Sequence, residues 1–242
     1  KLDSVSAMVL DVASGAIRSL NGATRWQSNP AFSPDGKSIT YWYPRDGRGD
    51  AGFVNELYLA PATGGAGRSL TRGIDRMVFN GEWMPDGRTL LVAANDKVGV
   101  GLWLQNLNGT ARRLELGNLI VGGAFGYDVT VAGSGAIVFS ATTASRPSEL
   151  YVMSGPTAKP RRLTDFNGWA ESVTFGKMER VTWTNDGFEE DGVLVLPPVF
   201  DPHRSYPLVL NIQGGPTSAS KLNFNSLAQL MASEGWCVFM PN

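Results

Sequence analysis

Only one cysteine and one histidine occur among the 242 residues, and charged residues make up 18% of them, below the usual quarter. A lone Cys237 excludes an intrachain disulfide. Its apolar neighbours, Trp236 and Val238-Phe239-Met240, mark it as a small buried hydrophobe rather than a reactive thiol. Lys and Arg together number 21 and Asp and Glu 22, a formal net charge of −1, so the electrostatic footprint of a nucleic-acid partner is missing. No apolar run approaches the roughly 18 residues that mark a membrane-spanning helix. What the chain does have is glycine, 29 residues of it, and a 43% hydrophobic content. That is enough for one large β domain, or for one domain and part of another. The first residue is Lys1 and no signal-peptide pattern follows it, so we expect either a removed leader or a start within a longer protein, with no compartment marked. Asn108-Gly109-Thr110 matches a glycosylation sequon, but Asn-Gly between strands reads first as a hairpin turn.

Residues 1–170 read as a repeat. Ser33-Pro34-Asp35-Gly36-Lys37 recurs about 50 residues on as Met84-Pro85-Asp86-Gly87-Arg88, with Gly133-Ser134-Gly135-Ala136 in the equivalent place one unit later. Proline at the first central position and glycine soon after define a compact turn. An apolar strand precedes each turn, as in Pro30-Ala31-Phe32 and Gly81-Glu82-Trp83. Second strands are expected at 38–43, 89–94 and 136–140, third strands at 56–60, 101–107 and 149–153, and short fourth strands at 68–70, 112–116 and 161–163. Four strands at this period are one propeller blade. Residues 11–20 match the last hairpin of a further blade, giving about three and a half four-stranded blades. A propeller usually closes with at least four, so the array is expected to be cut at its amino end.

The character changes from about Ser172. Strands are expected at 178–184 and 192–196, joined by a turn-rich acidic connection, Asn185–Asp191. Leu208–Ile212 reads as a buried parallel strand, because it is a continuous apolar run. Phe224–Glu234 reads as a helix with Leu227, Leu230 and Met231 on its core face and Gly235 at its end. An apolar strand, 236–240, follows. Strand, helix and strand open a parallel α/β sheet. Two domains are therefore expected, 1–173 and 174–242.

The stretch Asp191–Pro198 (DGVLVLPP), Asp201-Pro202 and Tyr206–Pro216 (YPLVLNIQGGP) resembles the prolyl oligopeptidase family of serine peptidases at the entry to its catalytic domain. The blade endings Ser69-Leu70-Thr71 and Arg162-Leu163-Thr164 resemble the propellers of that family and of TolB. The resemblance implies an α/β-hydrolase domain capped by a propeller that restricts entry to short peptides, of the acylaminoacyl-peptidase or dipeptidyl-peptidase kind. It places the oxyanion hole at Gly214 and Gly215, whose N–H groups face the substrate carbonyl. Gln213 stands where family members commonly have histidine. No Gly-x-Ser-x-Gly elbow occurs, and His203 precedes the oxyanion turn, whereas the hydrolase order puts the catalytic histidine last. The chain is thus expected to hold none of the triad and to be inactive alone. Ser218 and Ser220 follow the turn, but no elbow presents either as a nucleophile. Glu189, Glu190 and Asp191 read as a solvated turn rather than a metal or amine site, and no metal or cofactor is expected. Arg25, Arg48, Arg72 and Arg76 are candidate tunnel cations for a substrate carboxylate. Short peptides and the remainder of a parent chain are the expected partners. The competing reading is a TolB-like propeller that binds without catalysis.

Overall fold

The computed structural model describes residues 5–21, 26–45, 47, 54–123, 127–214 and 218–242. Strands β1 (Met8–Leu10) and β2 (Ile17–Ser19) form an antiparallel ribbon. Asp11 shapes the turn between them, its Oδ1 accepting the N–H groups of Ala13 and Ser14. Strands β3 (Ser28–Phe32), β4 (Ser38–Pro44), β5 (Asn55–Pro61) and β6 (Arg68–Ser69) make a four-stranded antiparallel sheet in chain order. The same order recurs in β7 (Val78–Trp83), β8 (Thr89–Asp96), β9 (Gly99–Asn106) and β10 (Ala111–Arg113). A third sheet holds β11 (Ile120–Val121), β12 (Val129–Val131), β13 (Ile137–Thr142), β14 (Glu149–Met153) and β15 (Arg161–Arg162); β11 and β12 both pair with β13, one strand more than the repeat predicts.

The turns explain the regularity. In the first sheet Ser33 N–H donates to Ser38 O at 2.8 Å, Gly36 takes φ +70°, and Asp35 Oδ1 accepts Lys37 N–H. In the second, Met84 N–H donates to Thr89 O at 2.9 Å, Gly87 takes φ +62°, and Asp86 Oδ1 accepts the N–H groups of Arg88 and Thr89. Proline presets the turn, aspartate holds it, and glycine supplies the left-handed residue that ends it. Asn108-Gly109 is the hairpin turn between β9 and β10, with Gly109 at φ +94°.

The chain divides into two compact units, one of residues 1–94, 102–114 and 131–136, the other of 95–101, 115–130 and 137–242. The first has two apolar clusters, one of Ala7, Leu20, Ile39, Tyr41 and Ala60, the other of Leu57, Leu70, Val78, Leu90 and Val92. Each joins neighbouring β elements through the inward side chains that alternate along the strands.

In the second unit β16 (Met178–Asn185), β17 (Phe188–Val195), β18 (Leu208–Leu210), helix α1 (Ser226–Ser233) and β19 (Cys237–Pro241) build a sheet ordered β16-β17-β19-β18. Only β18 and β19 run parallel, with α1 between them in sequence. Asn225 caps α1, its side-chain oxygen accepting Ala228 N–H at 3.0 Å, and Gly235 follows the helix at φ +84°.

Three expectations are corrected here. The connection between β16 and β17 is only Asp186-Gly187, both at positive φ as a type I′ turn demands, so Glu189, Glu190 and Asp191 lie on β17 rather than in a loop. Among the described residues the run at 208–212 is the outermost strand of its sheet: Leu208 and Leu210 are 62% and 56% exposed, and Val209 packs on the core. A continuous apolar run shows that both faces can be covered, not that these residues cover them. Finally, α1 turns Ala228, Gln229 and Ala232 inward against Val193, Val195 and Val238. Leu227 and Leu230 point to solvent and Met231 is half-buried, because small side chains let the helix lie close on the sheet.

Candidate active site

Past the carboxyl end of β18 the backbone runs on one residue in register, Asn211 N–H donating to Phe239 O at 2.8 Å. The Gln213 side chain then reaches Ser218, Nε2 donating to Ser218 O at 2.7 Å. Gly214 is exposed, a Cβ there would meet nothing within 4 Å, and its N–H has no partner among the described residues. Gly215 lies outside the described residues. The return limb is tied to the sheet. Ser220 N–H donates to Asn242 Oδ1 at 2.5 Å and Ser220 Oγ to Pro241 O at 3.2 Å. Asn242 Nδ2 reaches Asp191 Oδ1 at 2.8 Å, and Asp191 Oδ2 accepts Arg180 Nε at 2.9 Å. A polar chain thus runs from β16 through β17 and the end of β19 to the loop. In open α/β sheets this place, beyond the carboxyl ends of parallel strands, is where ligands bind.

Next to Ser220 stands Lys221, half-buried, with Nζ 6.0 Å from the centre of the Tyr127 ring. Burial pushes its pKa below the ordinary lysine value. Tyr127 is itself buried, which pushes its phenol upward, and its hydroxyl donates to Asn95 Oδ1 at 2.5 Å. Leu222 N–H donates to Val98 O at 2.8 Å. Neither Lys221 nor Asn242 was singled out from the sequence. The partners of both come from distant segments, and no local pattern announces them.

The remaining candidates fall elsewhere. His203 is exposed in the loop before β18, its backbone N–H donating to Asp201 Oδ1 at 2.9 Å, and no described serine is hydrogen-bonded to it. Ser218 is exposed, while Ser220 is committed to the Asn242 contacts. Glu190 accepts Trp183 Nε1 at 2.6 Å, and Glu189 pairs with Arg180 at 3.4 Å. Arg72 is not a free tunnel cation, because it pairs with the buried Glu56 at 3.1 Å. Arg76 donates to Asp75 O, and Arg25 and Arg48 lie outside the described residues. The half-buried Cys237 has its thiol pushed upward by burial, as expected of an inert side chain. Among the described residues no group of three or more His, Cys, Asp or Glu could hold a metal, and no helix is long and apolar enough to cross a membrane.

Dipeptidyl-peptidase 5 of Porphyromonas gingivalis is 27% identical over 250 residues, which cover 97% of this chain and 34% of that protein. An uncharacterized peptidase of Bacillus subtilis, YuxL, is 26% identical over 190 residues, covering 77% of this chain and 27% of its own length. The chain is a homologue of these peptidases. Among solved structures, Pyrococcus horikoshii acylaminoacyl peptidase superposes with a TM-score of 0.75 at 21% identity, over 94% of this chain and 34% of that one. The mostly β architecture is similar to its propeller region. No family model matches the chain. The chain spans about a third or less of the curated relatives it matches.

Proposed function

We propose that this chain is the access filter and one wall of the active site of a serine peptidase that cleaves aminoacyl or acylaminoacyl bonds of short peptides. Residues 1–173 are, in this reading, the C-terminal blades of a propeller, about three and a half of them, that restricts substrate size. Residues 174–242 are the opening of the α/β-hydrolase domain. The observation that carries it is the Gln213 side chain donating to Ser218 O just past the end of a parallel strand, beside a Gly214 N–H that has no partner among the described residues, in a homologue of peptidases. Gly214 and Gly215 donate their N–H groups to the oxyanion that forms on the substrate carbonyl, where preset donors lower the barrier without reorganisation. Gln213 holds the two ends of that loop together through its side chain.

Nucleophile, general base and acid complete such a site. We place them in the part of the peptidase outside these residues, since the relatives are about three times as long and His203 is hydrogen-bonded to no described serine. The test uses the 1–242 polypeptide and the full-length parent, with aminoacyl- and acylaminoacyl-nitroanilides and a fluorophosphonate probe. The parent is expected to turn over and to label at one serine, and the polypeptide to do neither. Labelling of the polypeptide would overturn the division of roles. A parent that neither labels nor turns over would leave a propeller binding module.

A further inference from the structure

Lys37, Lys97, Lys159 and Lys177 are exposed, as lysines usually are, whereas Lys221 is half-buried. Arg45, Arg72, Arg146, Arg162, Lys177 and Arg180 each have a carboxylate partner. Lys221 has none among the described residues; its Nζ stands 6.0 Å from the centre of the neutral Tyr127 ring. A cation taken partly out of water without a counter-ion is costly, and proteins keep such groups where a ligand completes them. Burial lowers its pKa, which agrees with that picture.

The surroundings hold this cation in place. Ser220 on one side is fixed by Asn242 and Pro241, and Leu222 on the other by Val98 O, so the Lys221 backbone is pinned at both neighbours. Tyr127, fixed in turn by Asn95, supplies an aromatic face beside the ammonium group and leaves its three N–H bonds unclaimed. The residue sits on the return limb of the loop that carries Gly214, on the side of the sheet's carboxyl ends. We propose that Lys221 is the specificity residue that binds a carboxylate of the peptide substrate by a charge-assisted hydrogen bond, either the free C-terminus or an Asp or Glu side chain. This rests on the peptidase reading given above.

The experiment uses the full-length parent and three peptides of one sequence: a free acid, its C-terminal amide, and the amide with one Glu introduced. With the parent as it stands, at least one carboxylate-bearing peptide should show a KM about tenfold below that of the plain amide at similar kcat. Lys221→Met should raise the KM of the responding carboxylate peptide to that of the plain amide in the same variant, erasing the difference, and Lys221→Arg should keep most of it. The peptide that responds identifies the source of the carboxylate. Equal KM values for all three peptides, or a Lys221→Met loss shared equally by all three, overturn the assignment without touching the peptidase reading. Should the parent cleave none of them, that reading fails, and calorimetric binding of the same peptides to the parent and to Lys221→Met decides the carboxylate site by the same comparison.

Discussion

Thr164 Oγ1 accepts the N–H of Leu150 at 2.9 Å, and in the first sheet Thr71 Oγ1 accepts the N–H of Leu57 at the same distance. The two pairs are equivalent positions of the repeat. Beside each, the leucine before the threonine donates back to the strand, Leu163 N–H to Leu150 O and Leu70 N–H to Leu57 O. The residue before Leu150 and Leu57 is a buried glutamate in both, Glu149 and Glu56. Glu149 accepts the Thr164 hydroxyl and the N–H groups of Phe166 and Asn167, while Glu56 is met by Arg45 and Arg72. The Leu-Thr ending read in the sequence is therefore a hydrogen-bonding device that fastens the outer strand and the chain leaving it. In the middle sheet Gly101 and Glu115 take the two places, and only the backbone bond, Leu114 N–H to Leu102 O, survives.

Thr164→Val should therefore be destabilising although it keeps the shape of the side chain. It removes a donor to a buried carboxylate and an acceptor for a strand N–H, a loss of about 1–3 kcal/mol. Glu149→Ala should cost more, because the hydroxyl and two N–H groups lose their acceptor together. Urea unfolding should show a lower midpoint with an unchanged slope for both. A Thr164→Val midpoint equal to that of the unaltered protein would make the repeated contact incidental.

The same glutamates predict acid sensitivity. Burial opposes the charged form of Glu149, but Thr164, Asn167 and Phe166 outweigh it and hold the pKa below the ordinary 4.5. For Glu56 burial is likewise outweighed, by hydrogen bonds from Arg72, Ser69 and Arg45. A carboxyl depressed in the folded state contributes stability that is complete above its unfolded pKa and is lost as pH falls through the folded one. Stability should thus decline from about pH 4.5 downward, and Glu149→Gln should flatten that decline while lowering stability at neutral pH. A pH series of urea midpoints measures both.

What the sequence made legible was what local chemistry determines. Pro34-Asp35-Gly36 and Pro85-Asp86-Gly87 specify their turns within a few residues, and the strands between them alternate, so sheet positions could be read directly. The acidic stretch at 189–191 reads as a loop because charge outweighs the short Asp186-Gly187 signal, although that dipeptide is a strong hairpin turn. The faces of β18 and α1 were misplaced for another reason. Leucine looks more core-like than alanine, yet close packing against Val193 and Val238 selected Ala228 and Ala232. At the site, Gly214 was legible from the apolar run ending in glycine. The contacts of Asn242 with Asp191 and of Lys221 with Tyr127 depend on folding across 51 and 94 positions, and nothing local encodes them.

Gly176 carries a close approach that side chains cannot share. An added Cβ would stand 2.2 Å from Leu196 O and 3.1 Å from the Ala232 Cβ. Gly176 also exchanges two buried hydrogen bonds with Gln229, its N–H donating to Oε1 at 2.8 Å and its carbonyl accepting from Nε2 at 3.1 Å. Gly176→Ala must therefore push backbone from backbone, and overpacking of this kind costs about 1–3 kcal/mol. Thermal melting should fall by several degrees, with Gln229→Leu falling comparably through the lost bonds. A Gly176→Ala protein that melts unchanged would show that the linker to β16 yields freely.

The last prediction concerns the clasp between Gln213 and Ser218, and it rests on the oxyanion role proposed for this loop. Gln213 touches no reacting atom in that role; it positions Gly214 by joining the ends of the loop. Gln213→Ala in the full-length parent should therefore lower kcat about tenfold and leave KM nearly unchanged, since the loop gains freedom that matters most when charge develops. Gly214→Pro removes an N–H outright, and loss of one oxyanion donor costs about 3–4 kcal/mol of barrier, a hundredfold or more in kcat. Gln213→Glu separates clasp from donor: its carboxylate is repelled by Ser218 O and places negative charge beside the oxyanion, so it should fall below Gln213→Ala. Thermal melting of all three should remain near that of the parent, because Gln213 and Gly214 lie outside the core clusters. If Gln213→Ala and Gly214→Pro both keep full kcat, the loop is only a connection between β18 and α1, and the oxyanion hole must be sought elsewhere.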